Sequence, residues 1–219
     1  MPSSLNVRSF IAILVLCVAA FIAGGAHAAV APVQPPTILV LGDSLSAAYG
    51  IRVEQGWVAL LQARLRAKGY GHRVINASSS GETTGGALAR LPRALATHRP
   101  SVVIVELGGN DGLRGLPVAD VRRNLDSIIR SSQQAGAGIL LLGMKIPPNY
   151  GSAYTQSFQA LFDELATQHR IPNVPFFLQD VATDDSLFQD DGIHPTAAAQ
   201  PQLLDAVWPH LVPLLKVRR

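Results

Sequence analysis

Thr37-Ile38-Leu39-Val40-Leu41-Gly42-Asp43-Ser44-Leu45-Ser46 decides the fold. Its first half is a strand-length run without polar alternation, the pattern of a strand covered on both faces. Its second half switches abruptly to small and polar residues, the pattern of a loop at a strand's carboxyl end. Four later stretches repeat the first half: Arg73–Asn76, Val102–Leu107, Ile139–Met144 and Val174–Leu178. Between them lie segments of helical period: Trp57–Lys68, Gly86–Thr97, Val118–Ala135, Tyr154–His169 and Ala197–Leu215. Pro201, Pro209 and Pro213 make the last of these the most easily broken. Strands alternating with helices require right-handed crossovers and a parallel sheet. We therefore expect one three-layer α/β/α domain with a five-stranded parallel sheet, and with ligands held beyond the carboxyl ends of its strands.

Composition supports a single large core. The chain has 219 residues, of which 48% are hydrophobic and 15% charged. Formal net charge is +3, and the 18 basic residues are scattered apart from Lys216–Arg219, so no nucleic-acid patch is expected. The lone cysteine, Cys17, excludes a disulfide framework and a multi-cysteine metal cluster.

Residues 1–28 read as an export signal rather than part of the fold. Arg8 precedes the uncharged apolar run Phe10–Ile22, and Ala26-His27-Ala28 places small residues where a signal peptidase reads. The run is short for a membrane span and no second one follows, so no stable span is expected after cleavage. Leu16 before Cys17 does not suit lipoprotein processing. Cleavage after Ala28 leaves residues 29–219 without a cysteine, which suits an oxidising compartment, periplasmic or secreted.

Chemistry-bearing residues follow the predicted strands. Ser44 stands just beyond the first, where its hydroxyl either opens onto the crevice or caps the next helix. Near the carboxyl terminus, Asp190-Asp191-Gly192-Ile193-His194-Pro195 offers an imidazole with a carboxylate three residues earlier. One tight turn would bring Asp191 to the far ring nitrogen of His194, fixing its tautomer and stabilising the imidazolium. Pro195 biases His194 away from helical geometry. The other histidines of the chain's body, His72, His98, His169 and His210, have no comparable setting and are expected to be structural. Asn76-Ala77-Ser78-Ser79-Ser80-Gly81 and Gly108-Gly109-Asn110-Asp111 follow the second and third strands and can supply N–H donors to an oxyanion. Asn76-Ala77-Ser78 is also a glycosylation triplet, a reading weakened if Asn76 ends a buried strand.

Taken in this order, Gly42-Asp43-Ser44-Leu45, Gly81, Gly109-Asn110-Asp111 and Asp191-Gly192-Ile193-His194-Pro195 resemble the SGNH (GDSL-type) hydrolases over residues 37–215. Longer blocks, Val105–Gly115, Pro148–Gly151 and Gln189–Pro195 among them, are similar to the branch of bacterial periplasmic acyl-CoA thioesterases, lysophospholipases and arylesterases. The resemblance implies a flavodoxin-like fold, with Ser44 as nucleophile, His194 as base and then acid, and Asp191 as orienting carboxylate. It further implies an oxyanion hole from the Ser44 and Gly81 backbone N–H groups and the Asn110 amide, and no metal or organic cofactor. Glu82 stands where Asp is expected, and Leu116–Val121 is less familiar, which leaves chain-length preference open.

Three other classes fit the sequence less well. An α/β-hydrolase needs Gly where Ser46 stands, and a metal-dependent phosphoesterase needs histidines where Leu45 and Gly112 stand. A lipid- or glycan-binding module has no use for an oriented base. The reaction expected is therefore two-step acyl transfer from an ester or thioester of a fatty acid, with a carbohydrate or short-chain acetyl esterase as the enzymatic alternative. Leu113, Ile146, Pro147, Pro148 and Tyr150 are the candidate acyl-binding wall, and a small-molecule substrate taken by a monomer is the expected partnership.

Overall fold

The computed structural model describes residues 35–215; residues 1–28, read from the sequence as an export signal, and the basic tail 216–219 lie outside them. Five parallel strands form one sheet: β1 (Thr37–Gly42), β2 (Arg73–Asn76), β3 (Val102–Glu106), β4 (Gly138–Leu142) and β5 (Asn173–Val174), in the order β2-β1-β3-β4-β5. Helices α1 (Trp57–Ala67) and α6 (Gln200–Leu211) pack together, while α2 (Thr84–His98), α4 (Val118–Gln134) and α5 (Ser152–His169) form a second contiguous layer. A short helix α3 (Gly109–Leu113) opens directly after β3, where only a glycine-rich loop was expected.

The apolar runs became strands because both faces are covered. Every residue of β1 and β3 is buried, and Trp57, Leu61 and Leu65 of α1 and Phe158 and Phe162 of α5 close on the sheet from its helical layers. At about 25 cal/mol per Å² of apolar surface, each such Leu or Phe contributes roughly 1.5–3 kcal/mol before entropy is counted. β2 departs from this pattern. It is an edge strand with Arg73 and Asn76 exposed, so the argument from a buried Asn76 does not hold. The Asn76 amide is nevertheless engaged, donating to the Ser46 carbonyl (2.8 Å) and accepting from the Ser78 N–H (3.1 Å).

β5 is shorter than the expected Val174–Leu178. Pro172 and Pro175 bracket it and Pro175 has no N–H to give to the ladder, so regular pairing with β4 is confined to Asn173 and Val174. The terminal helical segment is divided near two of its three prolines, while Pro209 is accommodated inside α6. Pro201 falls in the first turn of α6, where a missing N–H costs nothing, and Pro213 falls in the separate turn Val212–Leu214.

Strand order fixes the site. From β1 the chain crosses to β2 on one side, and β3 returns to the other side of β1, so the carboxyl ends of β1 and β3 flank the switch point. Parallel sheets open a crevice there. Gly42 and Glu106 are register partners at that edge, which sets Asp43 and Ser44 beside the loop leading to Asn110.

Candidate active site

Ser44 lies in the turn beyond β1, and the loop after Phe188 brings His194 to it: His194 Nε2 is 2.9 Å from Ser44 Oγ. The far ring nitrogen, Nδ1, is 2.6 Å from Asp191 Oδ2. The other Asp191 oxygen accepts the backbone N–H groups of Ile193 (2.9 Å) and His194 (3.0 Å), so one tight turn holds both the carboxylate and the ring. These bonds, the His194 N–H first and the His194 ring second, lower the Asp191 pKa from 3.8 to about 2. The turn is held in turn by Gln189, whose amide donates to the Tyr49 and Pro195 carbonyls.

Tyr49 was not anticipated from the sequence. Its ring centroid lies 4.5 Å from that of His194, and the side is open to solvent, with Tyr49 51% exposed. Preceding it, Ala48 adopts a left-handed backbone (φ 61°), a conformation that costs a non-glycine residue about 1–2 kcal/mol. No periodicity points to such a residue, five positions past Ser44 in an irregular loop.

The candidate oxyanion donors stand in the segments after β1, β2 and β3. Among the described residues, the backbone N–H groups of Ser44 and Gly81 donate to no protein acceptor. Gly81 is at φ 75°, which a side chain would strain, and Arg114 Nη2 ties its carbonyl to the Asn110 segment at 3.1 Å. Asn110 Nδ2 donates one hydrogen to Asp43 Oδ2 at 3.1 Å, which leaves its second hydrogen for another acceptor.

A cleft of about 810 Å³ starts at Ser44 and His194 and follows the carboxyl edge of the sheet toward β5. Leu113, Ile146, Pro147 and Pro148 line it, joined by Met144, Phe176, Leu178 and Phe188, which sequence reasoning did not single out. Tyr150 stands behind this wall: its hydroxyl donates to the Leu113 carbonyl (2.7 Å) and its ring stacks on Tyr154, so it buttresses the cleft rather than lining it. Of the remaining histidines, His72 is buried, which lowers its pKa, and His169 bonds Asp126 at 2.7 Å. No group of three or more His, Cys, Asp or Glu side chains is arranged to hold a metal among the described residues.

The chain matches the model of the GDSL-like lipase/acylhydrolase family over residues 40–200. It is 52% identical to the esterase TesA of Pseudomonas aeruginosa over 179 residues, covering 82% of this chain and 89% of that protein. It is 42% identical to the thioesterase 1/protease 1/lysophospholipase L1 of Escherichia coli K12, covering 82% and 85% of the two chains. Against the crystal structure of TesA the TM-score is 0.80 at 52% identity, covering 82% of this chain and 99% of that one. The five-stranded parallel sheet, the arrangement at its carboxyl edge and these matches agree, and the chain belongs to the GDSL-like lipase/acylhydrolase family as an ester hydrolase.

Proposed function

We propose that this enzyme cleaves fatty acyl esters and thioesters through an acyl-enzyme on Ser44. The observation that carries the reading is the unbroken chain Ser44 Oγ–His194–Asp191, at 2.9 and 2.6 Å, opening onto an apolar cleft. Ser44 Oγ attacks the acyl carbonyl as His194 Nε2 takes its proton, a general-base contribution of roughly 10²–10⁴ in rate. Negative charge develops on the carbonyl oxygen between the N–H groups of Ser44 and Gly81 and the free amide hydrogen of Asn110. His194 then returns the proton to the leaving alcohol or thiol, and a water activated at the same nitrogen releases the acid.

The acyl chain lies along the cleft. From β1 to β5 it crosses three strand spacings, about 14 Å at ~4.8 Å each, enough for a medium-length chain. The catalytic groups touch only the carbonyl, so an ester oxygen and a thioester sulfur are both accommodated, as the names of the relatives suggest for those proteins. Residues 1–28 act as an export signal, supported by Arg8, the apolar run and Ala26-His27-Ala28, and the amino-terminal sequence of the exported protein tests this. Among the described residues no helix is long and apolar enough to cross a membrane.

The test is hydrolysis of p-nitrophenyl esters from acetyl to palmitoyl, with Ser44→Ala in parallel. Activity reaching medium and long chains and lost in the variant is expected. Activity on acetyl alone would transfer the enzyme to the short-chain or carbohydrate acetyl esterases, and equal inactivity of both proteins would remove the serine mechanism.

A further inference from the structure

Beneath Ser44 lie two carboxyl groups that the acyl-transfer chemistry above does not use. Glu106 ends β3 fully buried, at 0% exposure, and Asp43 is 2% exposed. The Asp43 N–H donates to Glu106 Oε2 at 3.3 Å, so the two carboxyl-bearing residues pack side by side. Two neighbouring carboxylates at this depth repel each other and lack water, so a proton on one of them is favoured.

The surroundings say which group holds it. Asp43 acts as an acceptor with both oxygens, Oδ1 from the Leu45 N–H (3.0 Å) and Oδ2 from Asn110 Nδ2 (3.1 Å). Glu106 Oε2 accepts from Ser46 Oγ (2.6 Å) and from the Asp43 N–H (3.3 Å), whereas Glu106 Oε1 is buried without a hydrogen-bond partner. An orphan acceptor at that depth costs roughly 1–3 kcal/mol, and a proton on it converts it into a donor. Space is shaped around the pair: a Cβ on Gly42 would stand 2.8 Å from Ser46 Oγ and 2.9 Å from Glu106 Oε2.

We propose that Glu106 is held protonated and so keeps Asp43 as the fixed anionic acceptor that aims the Asn110 amide at the oxyanion. Glu106 is then a positioning residue, acting through Asp43. A neutral Asp43 could donate to Asn110 Oδ1 instead, turning the amide over and presenting its oxygen where its hydrogen is needed. Burial and the neighbouring Asp43 charge both raise the Glu106 pKa well above its usual range, in the same direction as the geometry. Burial also raises the Asp43 pKa, to about 6, a rise opposed by its bonds from the Leu45 N–H and Asn110 and by the nearby charge of His194.

The kinetic consequence rests on the acyl-transfer reading, so the experiment has two arms. Isotope-edited infrared spectra of the whole protein at neutral pH should show a protonated carboxylic acid in wild type that disappears in Glu106→Gln. Absence of that band in wild type overturns the proposal whatever the activity. In steady-state kinetics on a p-nitrophenyl ester, Glu106→Leu should lose about 10²-fold in kcat with KM little changed, the loss typical of one misplaced oxyanion donor. Glu106→Gln keeps a donor for Asp43 and an acceptor for Ser46, and should recover most of that loss. A folded Glu106→Gln that falls as far as Glu106→Leu contradicts the proposal, and if the Leu variant does not fold, a hundredfold loss in Gln alone does so. An inactive wild type would defeat the acyl-transfer reading, while the infrared arm would still locate the proton.

Discussion

Replacing Asp191 by Asn tests how the histidine is held. Asp191 gives one oxygen to His194 Nδ1 at 2.6 Å and the other to two backbone N–H groups at 2.9 and 3.0 Å. Asn has a single carbonyl oxygen. If it stays with the two N–H groups, which define the turn, its NH₂ faces Nδ1 and donates to it. Nδ1 then becomes the acceptor and the ring proton moves to Nε2, pointing at Ser44 Oγ, where it blocks proton abstraction. Geometry survives and the base does not. The loss expected is about 10⁴ in kcat, the size known for the corresponding substitution in a serine protease triad, or roughly 5.4 kcal/mol of barrier. KM should change little, because Asp191 does not face the cleft. The assay is kcat and KM on one p-nitrophenyl ester, with circular dichroism to show that the fold persists. A folded variant within tenfold of wild-type kcat, or one affected mainly in KM, would refute the tautomer argument.

Three other outcomes are expected. Asn110→Ala should lower kcat by about 10²–10³ with KM nearly constant, measured on the same ester, since its amide acts on charge that appears only in the transition state. Phe158→Ala removes a fully buried ring that meets Phe162 at 5.6 Å and should cost about 3–5 kcal/mol in denaturant unfolding, a loss under 1 kcal/mol being incompatible with this packing. The raised Glu106 pKa means that the folded protein keeps a proton which the unfolded chain releases above 4.5. Its contribution to stability is therefore complete below that pH and declines as pH rises through the folded value, at about 1.4 kcal/mol per pH unit. Glu106→Gln should flatten that slope in urea titrations run across the window.

The sheet was legible because β1, β3 and β4 are uninterrupted apolar runs whose ends carry glycine and small polar residues. Ser44 was legible for a related reason, since it falls just past the first run, whereas Asp191 and His194 were legible from their own three-residue spacing. What escaped was local competition between elements. Proline at 172 and 175 cut β5 short, and β2 kept strand geometry at the sheet edge although half its residues are exposed. Tyr49, whose carbonyl accepts from the Gln189 amide, and Tyr150, whose hydroxyl donates to the Leu113 carbonyl, are placed by bonds across the chain that no spacing encodes. Glu106 did leave a signal. A charged residue closing the run Val102-Val103-Ile104-Val105 is out of place in a buried strand unless something pairs with it, and its partner, Asp43, lies in the block that marks Ser44.

The central claim is that Ser44, and no other side chain, becomes acylated. Incubation with a fluorophosphonate, followed by intact mass and peptide mapping, reads this directly. One equivalent of probe on Ser44, loss of ester hydrolysis in step with labelling, and no labelling of Ser44→Ala are expected. Label on another residue, or a Ser44→Ala variant that still hydrolyses esters at the wild-type rate, would contradict it.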